Sequence, residues 1–149
     1  MKQLVPVLAA IGGIAIAVLG YVFLHVVLPT FAAKNLAKSE DGLKRIAAEA
    51  SKNLPKMVDS ETRLDRVTAS GHMLVYEYDM PNYSASQMDL RVFHDALLPS
   101  VRSKSCTLEE ARKMFLDNGV TLRYHYVDKA RAEMDTIDIT LADCKSVGL

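Results

Sequence analysis

The longest uncharged stretch of this sequence constrains its fold more than any other feature. Residues 4 to 33 contain no Asp, Glu, Lys or Arg, and His25 is the one strongly polar side chain between Leu4 and Leu28. A helix of these 25 residues is about 37 Å long, enough to cross a hydrocarbon core of about 30 Å with some tilt. A cleaved signal peptide is the alternative, but its apolar region has only about 7 to 15 residues. The sequence therefore predicts a transmembrane anchor over residues 1–33.

Small residues recur on one face of this predicted anchor. Ala9, Gly13 and Ala17 are spaced four residues apart, although Gly and Ala are common in all membrane helices. A face of small residues lets a second helix approach closely in a membrane. The pattern predicts that the anchor packs against a larger integral-membrane protein, and it also allows self-association.

The remainder of the chain has the composition of one small globular domain. It holds all 18 acidic residues and every Lys and Arg except Lys2, which gives it a formal net charge of −1. This balance excludes a large basic surface, so we expect no nucleic-acid partner. The 116 residues from Lys34 onward can bury one core but not two. We predict a juxtamembrane helix over residues 34–55 and a folded domain over residues 56–149.

The first half of this region predicts a helix followed by a β-hairpin. Apolar residues over Asn35–Leu54 recur at mostly helical spacing, and Pro55 ends the helix. Residues 63–69 and 73–80 favour strands, the second more strongly because it is rich in Val and Tyr. Ser70-Gly71 between them is a turn of hairpin length.

The second half predicts two helices and a second hairpin. Apolar residues over Gln87–Val101 follow the helical period, and Thr107-Leu-Glu-Glu110 is a capping box that predicts a further helix ending at Asn118-Gly119. Residues 120–127 alternate strictly between apolar and polar, and residues 137–141 repeat the alternation after a charged loop. The expected fold is α+β, with a four-stranded antiparallel sheet of two hairpins packed by two or three helices.

Cys106 and Cys144 are the only cysteines of the chain. One precedes a predicted helix and the other follows the last predicted strand, so a disulfide would clamp the final hairpin to the helices. Closing that loop would stabilise the domain by about 4 kcal/mol, whereas two free buried thiols are the alternative. A disulfide places the domain in an oxidising compartment, most simply the bacterial periplasm. The basic residues that follow the anchor favour the cytoplasm by the positive-inside rule, but that count rests on few charges.

The chain contains no motif of a known catalytic or cofactor site: no GxGxxG, P-loop, HExxH, GxSxG or CxxC. His72, His94 and His125 lie on a predicted hairpin, helix and strand, so a metal cluster is geometrically possible, but single histidines on solvent faces are the usual explanation. Acidic residues near the first predicted strand alternate with Arg63 and Arg66, which favours a solvated face with local salt bridges. We therefore expect no enzymatic activity, no cofactor and no metal.

The chain contains a set of short motifs: Leu54-Pro-Lys-Met-Val-Asp-Ser-Glu-Thr-Arg-Leu-Asp65, a Tyr-x-Tyr strand, Asn118-Gly-Val, Tyr124-x-Tyr-x-Asp128 and Asp143-Cys144. Together they resemble a group of small bacterial membrane-anchored or exported proteins whose function is uncharacterised. The resemblance spans residues 54 to 144 and implies a bacterial origin and a cysteine pair within a compact domain. It implies no activity and no catalytic residue.

These features predict a non-enzymatic accessory subunit of a bacterial inner-membrane complex, held by a single membrane-spanning helix, with its folded domain in the periplasm. The alternative is a periplasmic immunity or inhibitor protein that neutralises a toxin or hydrolase, because a small disulfide-tied domain without catalytic motifs suits that role too. An inhibitor would bind its target through the isolated domain, whereas the accessory subunit would need the anchor.

Overall fold

The computed structural model describes residues 35–146 and residue 148. In this part of the chain, four α-helices pack on one face of a five-stranded sheet. The helices are α1 (Glu40–Ala50), α2 (Leu90–Thr107), α3 (Glu109–Met114) and α4 (Leu141–Ser146). The strands are β1 (Lys56–Met57), β2 (Arg63–Ser70), β3 (Met73–Met80), β4 (Thr121–Asp128) and β5 (Glu133–Ile139).

The sheet is mixed, with the strands in the order β1-β2-β3-β4-β5. Neighbouring strands are antiparallel except β3 and β4, which run parallel with Met73 opposite Thr121 and Met80 opposite Asp128. The predicted four-stranded antiparallel sheet is therefore wrong, although both predicted hairpins, β2–β3 and β4–β5, are present. The additional strand, β1, has only two residues, too few for an alternating pattern to reveal it.

The lengths of the helices between the hairpins explain the direction of β4. Two helices of similar length, as the sequence predicts over residues 87–101 and 107–118, would carry the chain along the sheet and back again. In the structure α2 has 18 residues and α3 only six. The length of α2, about 27 Å, matches the roughly 26 Å of β3. One long helix thus returns the chain to the end where β3 begins, so β4 runs parallel to β3.

The helix boundaries near α3 and α4 also differ from the prediction. Thr107 is the last residue of α2, and α3 begins at Glu109 without a side-chain cap. A capping interaction occurs instead at α4, where the Asp143 carboxylate accepts hydrogen bonds from the Thr140 amide at 2.8 Å and the Thr140 hydroxyl at 2.6 Å. The chain therefore turns into a helix at Leu141, where alternation predicts continued strand.

The first helix is shorter than predicted because it has its own cap. Ser39 precedes α1 and its side chain accepts the amide of Gly42 at 3.1 Å. Residues 35–38 form a separate turn, of which the first two residues are helical. It packs on α1 so closely that a Cβ on Gly42 would lie 1.8 Å from the Leu36 carbonyl oxygen. Position 42 therefore requires glycine. The helix predicted over residues 35–54 is confirmed over Glu40–Ala50 and continues as a 3-10 helix over Ser51–Asn53, whereas residues 37–39 interrupt it after the helical residues Asn35 and Leu36.

Four tyrosines fill the centre of the core. Tyr76 and Tyr78 of β3 lie opposite Tyr124 and Tyr126 of β4, and the rings stack with centroids 5.0 to 6.4 Å apart. Helix α1 packs against β2, and α2 packs against β5. Both helices bury one apolar stripe on the tyrosine side of the sheet (Leu43, Ala47, Ala50, Phe93, Leu97 and Val101).

Cys106 and Cys144 form a disulfide, with their Cα atoms 5.3 Å apart. Cys106 lies in the last turn of α2 and Cys144 in α4. The bridge therefore joins two helices, rather than a helix and the end of a strand as the sequence predicts.

Among the described residues, no helix is both long enough and apolar enough to cross a membrane. The predicted anchor over residues 1–33, with its small residues Ala9, Gly13 and Ala17, lies outside the described residues.

Candidate protein-interaction surface

The histidines considered as metal ligands lie in different parts of the fold. His72 is in the β2–β3 turn, His94 is on α2 and His125 is on β4. His94 Nδ1 lies 3.0 Å from a carboxylate oxygen of Asp135 on β5, so this histidine ties α2 to the edge of the sheet. Within residues 35–146 no three His, Cys, Asp or Glu side chains are arranged to hold a metal ion.

The acidic residues around β2 stabilise turns and form ion pairs. The Asp59 carboxylate accepts the amides of Glu61 and Thr62 at 2.7 Å each, which closes the turn between β1 and β2. Arg63 lies 2.6 Å from Asp65 and also 2.6 Å from Asp79. Asp79 is 6% exposed, so it is buried rather than solvated.

The sheet face opposite the helices is polar and crossed by ion pairs. Arg66 contacts Glu77 at 2.8 Å, from β2 to β3. Arg123 binds Asp138 through two hydrogen bonds of 2.7 Å, from β4 to β5. His125 lies between Glu77 and Thr136 in the strand register. A partner on this face would have to replace interactions that neighbouring strands already make.

An irregular position in β2 extends this ionic network to the β4–β5 loop. Asp65 lies where the β2–β3 register shifts, and Arg131 donates to its carboxylate at 2.8 Å from the loop. Burial raises the pKa of Asp65, but hydrogen bonds from Arg63 and Arg131 outweigh it and leave the pKa below its ordinary value. Arg131 has a φ of +67°, a conformation that is strained for a residue with a side chain.

Asp128 organises the loops at the carboxyl ends of the two parallel strands. Its carboxylate accepts the amides of Ala85 at 2.9 Å and of Ala130 and Ala132 at 2.8 Å each. The hydrogen bond from Ala85, with those from the other two amides, lowers the pKa of Asp128. In the same region, Asn82 donates to Glu61 at 3.0 Å. These loops are therefore fixed by polar contacts within the domain.

Helix α2 has an exposed face without charge. Val92, Ala96, Pro99 and Ser103 follow one another by four, three and four residues, and all are exposed. Val92 is 43% exposed. Exposed helix faces normally carry charged or polar residues, and clustered exposed apolar side chains mark sites for another protein. We call these four residues (Val92, Ala96, Pro99 and Ser103) the α2 surface.

The sequence pattern places Val92 in the core, together with Phe93 and Leu97, but the structure turns it outward. Phe93 and Leu97 are 2% and 3% exposed, against 43% for Val92. The signal that identifies the surface is on the opposite side of the helical wheel, where positions 92, 96, 99 and 103 lack any charge. A search for apolar periodicity alone finds only the buried stripe.

Comparison with known sequences identifies a partial relative. No protein-family profile matches the chain. Protein K of Escherichia coli is 30% identical over 87 residues, which are 56% of this chain and 46% of that protein. The chain thus spans less than half the length of this relative.

Solved structures give a fuller match. EpsS, a pilotin of the type 2 secretion system of Vibrio vulnificus, matches with a TM-score of 0.59 and 18% identity over 77% of this chain and 97% of its own. AspS, the type II secretion pilotin of Vibrio cholerae, matches with a TM-score of 0.55 and 21% identity over 78% and 100%. The chain has the fold of these pilotins.

A third structure with this fold comes from Pseudomonas aeruginosa and is assigned to a secreted protein. Its TM-score is 0.62, with 19% identity over 78% of this chain and 98% of its own. A complete pilotin fold therefore fits within about three quarters of this chain.

Proposed function

We propose that this chain is a pilotin-like accessory protein of a bacterial secretion system in the cell envelope, and that it acts by binding another protein rather than by catalysis. The observation that carries the proposal is the fold, which matches two type II secretion pilotins over 97% and 100% of their lengths. The Cys106–Cys144 disulfide supports a location in an oxidising compartment outside the cytoplasm.

The α2 surface is the proposed binding site for a protein component of that secretion system. Burying Val92, Ala96 and Pro99 against a partner removes apolar area from water, at about 25 cal/mol per Å². None of these side chains carries a charge that would have to be desolvated. The opposite sheet face is less suitable, because its Arg and Asp side chains already pair with one another.

A matched pair of alanines tests this site. Ala96 and Ala48 are both exposed positions in helices, the first on the α2 surface and the second on the charged outer side of α1. An aspartate at position 96 would place an unpaired charge in the interface, whereas an aspartate at position 48 would remain in solvent. We expect A96D to weaken binding of the secretion-system component by more than about tenfold and A48D to leave it unchanged.

The measurement combines secretion and binding in the source bacterium. Deleting the gene should lower the export of type II substrates, and the wild-type chain and A48D should restore it while A96D should not. Binding of the co-purified component to each full-length variant is then measured directly. Export that is unaffected by the deletion would reject the secretion role. Equal binding by A96D and A48D would reject the α2 surface but not the role.

A further inference from the structure

The two edges of the sheet are protected in different ways. At one edge the two residues of β1 cover the start of β2, and further along the Ser51 hydroxyl donates to the Val67 carbonyl at 2.9 Å and accepts the Val67 amide at 3.0 Å. At the other edge lies β5, a strand of seven residues. A free strand of this length is a template for pairing with another chain, so β5 is the edge that needs protection.

The hydrogen-bonding direction of β5 follows from the amide of Thr136. This amide donates to the Asp135 carboxylate at 2.9 Å, so it points away from β4. Donors of an antiparallel edge strand alternate between the neighbour and the outside. The outward-facing positions are therefore Thr136, Asp138 and, where the chain leaves the strand, Thr140.

Aspartate side chains cap two of these three outward amides. Asp135 accepts the amide of Thr136, and Asp143 accepts the amide of Thr140 at 2.8 Å. His94 Nδ1 lies 3.0 and 3.1 Å from the two oxygens of Asp135, whereas the cap itself joins neighbouring residues of β5. Between the caps, the Asp138 carboxylate is held by Arg123. The row of donors that an added strand would need is thus largely occupied from within the domain.

We propose that Asp135 and Asp143 are guard residues that prevent β5 from pairing with the β5 edge of a second copy of this chain. Their carboxylates occupy the amides to which the carbonyls of an incoming strand would bind, and they place negative charge at the same positions. A symmetric pair of β5 strands would also bring like charges (Glu133, Asp135 and Asp138) close together, which opposes pairing. Self-pairing of the sheet is suppressed by polar side chains rather than by a covering element.

Two substitutions of Asp135 distinguish the effect of its hydrogen bond to the Thr136 amide from the effect of its negative charge. Threonine at this position keeps strand propensity but has no group that reaches the next amide, whereas asparagine keeps an acceptor oxygen and removes the charge. To detect pairing of β5 strands, a photo-crosslinking residue is placed in the parent full-length chain and in each variant at position 133, where Glu133 is exposed at the start of β5. We expect D135T to yield about tenfold more crosslinked dimer than the parent, equivalent to 1.4 kcal/mol of association free energy, and D135N and H94A to stay near the parent level.

A D135T protein that crosslinks no more than the parent would overturn the proposal. Equal crosslinking of D135N and D135T would overturn the role of the cap. A second measurement does not depend on the folding of any variant. In the wild-type chain the amide proton of Thr136, which is hydrogen-bonded to the Asp135 carboxylate, should exchange with solvent more slowly than the outward-facing amide proton of Asp138. Equal exchange rates of the two amide protons would contradict the guard arrangement.

Discussion

Asp128 lies buried at the end of β4, where its two carboxylate oxygens accept three backbone amides from two loops. The hydrogen bonds lower its pKa in the folded state, so its contribution to stability is present above the pKa of the unfolded chain and is lost as the pH falls through the folded-state pKa. In D128N the side chain has one acceptor oxygen instead of two, and it no longer titrates. We expect D128N to be less stable at pH 7 and to lose less stability than the wild type between pH 7 and acid pH, as measured by urea unfolding.

D128N should still lose some stability at acid pH, because Asp65 and Asp143 also have lowered pKa values. At Asp65 hydrogen bonds outweigh the effect of burial, and at Asp143 the hydrogen bond from the Thr140 side chain lowers the pKa. D95N, at an exposed position of α2, is the control and should behave as the wild type. If D128N retained the full acid-induced loss, the amide contacts of Asp128 would not be the cause of its pH dependence.

Ser105 and Tyr124 form a buried polar pair between α2 and β4. The two hydroxyl oxygens lie 2.8 Å apart, and Ser105 also donates to the Val101 carbonyl at 2.8 Å. Burial raises the pKa of Tyr124 to about 12, and the hydrogen bond with Ser105 opposes that rise. We expect S105A to lower the free energy of unfolding by about 1–3 kcal/mol, because it leaves the tyrosine hydroxyl unpaired.

A double-mutant cycle with Y124F tests this pair. Removing both hydroxyls should cost less than the sum of the single substitutions, since neither partner is then left alone. Strictly additive losses in urea unfolding would show that the two side chains contribute independently.

At the scale of elements, the contact between Gly42 and the turn of residues 35–38 determines how α1 begins. Replacing an exposed helical glycine by alanine normally stabilises by about 1 kcal/mol. At position 42 the added Cβ would collide with the Leu36 carbonyl, so the turn and the buried Ala37 would have to leave α1. We expect G42A to destabilise the domain by about 1–3 kcal/mol in thermal or urea unfolding.

The exposed Ala48 on the same helix gives the matched reference. A48G should lose about 1 kcal/mol from helix propensity alone. A G42A protein more stable than the wild type would mean that the turn of residues 35–38 does not pack on α1.

Element types were largely predictable from the sequence, whereas element lengths were not. Strict alternation identifies β4 because its side chains face the core on one side and solvent on the other, and the Val and Tyr content of β3 identifies that strand. The end of α2 is different: Ser105 and Cys106 are buried against the sheet and α4, and this tertiary packing extends the helix through Thr107. A local capping pattern cannot predict where a helix of this kind ends, since helix stability in proteins comes mainly from packing. Thr140-x-x-Asp143 has the same pattern and does start a helix.

For the whole molecule, the disulfide is the covalent link that holds α4 to the helical layer. It closes a loop with a sequence separation of 38 residues, for which the chain-entropy estimate is about 4 kcal/mol. We expect the C106S/C144S variant to lose stability of this order in urea unfolding. The wild type in reductant should approach the same value once the buried bridge is reduced, and equal stability of the oxidised wild type and the variant would contradict the estimate.

The overall topology and the α2 surface were the parts that the sequence could not supply. Whether β4 runs parallel or antiparallel to β3 depends on the length of α2, which is decided by contacts far away in the chain. The exposure of Val92 depends on how α2 is rotated on the sheet, and its residue type alone favours the core. In contrast, the cysteine pair and both hairpins could be predicted, because each depends on residue type and local spacing.

The parallel junction of β3 and β4 has a consequence for the order of folding. Each hairpin closes over a short turn and can form in about 1–10 μs. The junction joins strands that are separated by the 40 residues between Met80 and Thr121, so it must overcome a larger loop-closure entropy before the tyrosine contacts form. We therefore expect the joining of the two hairpins to be the slow step. Until it occurs, β3 and β4 are both open edges, so the folding chain should be most prone to aggregation in this interval.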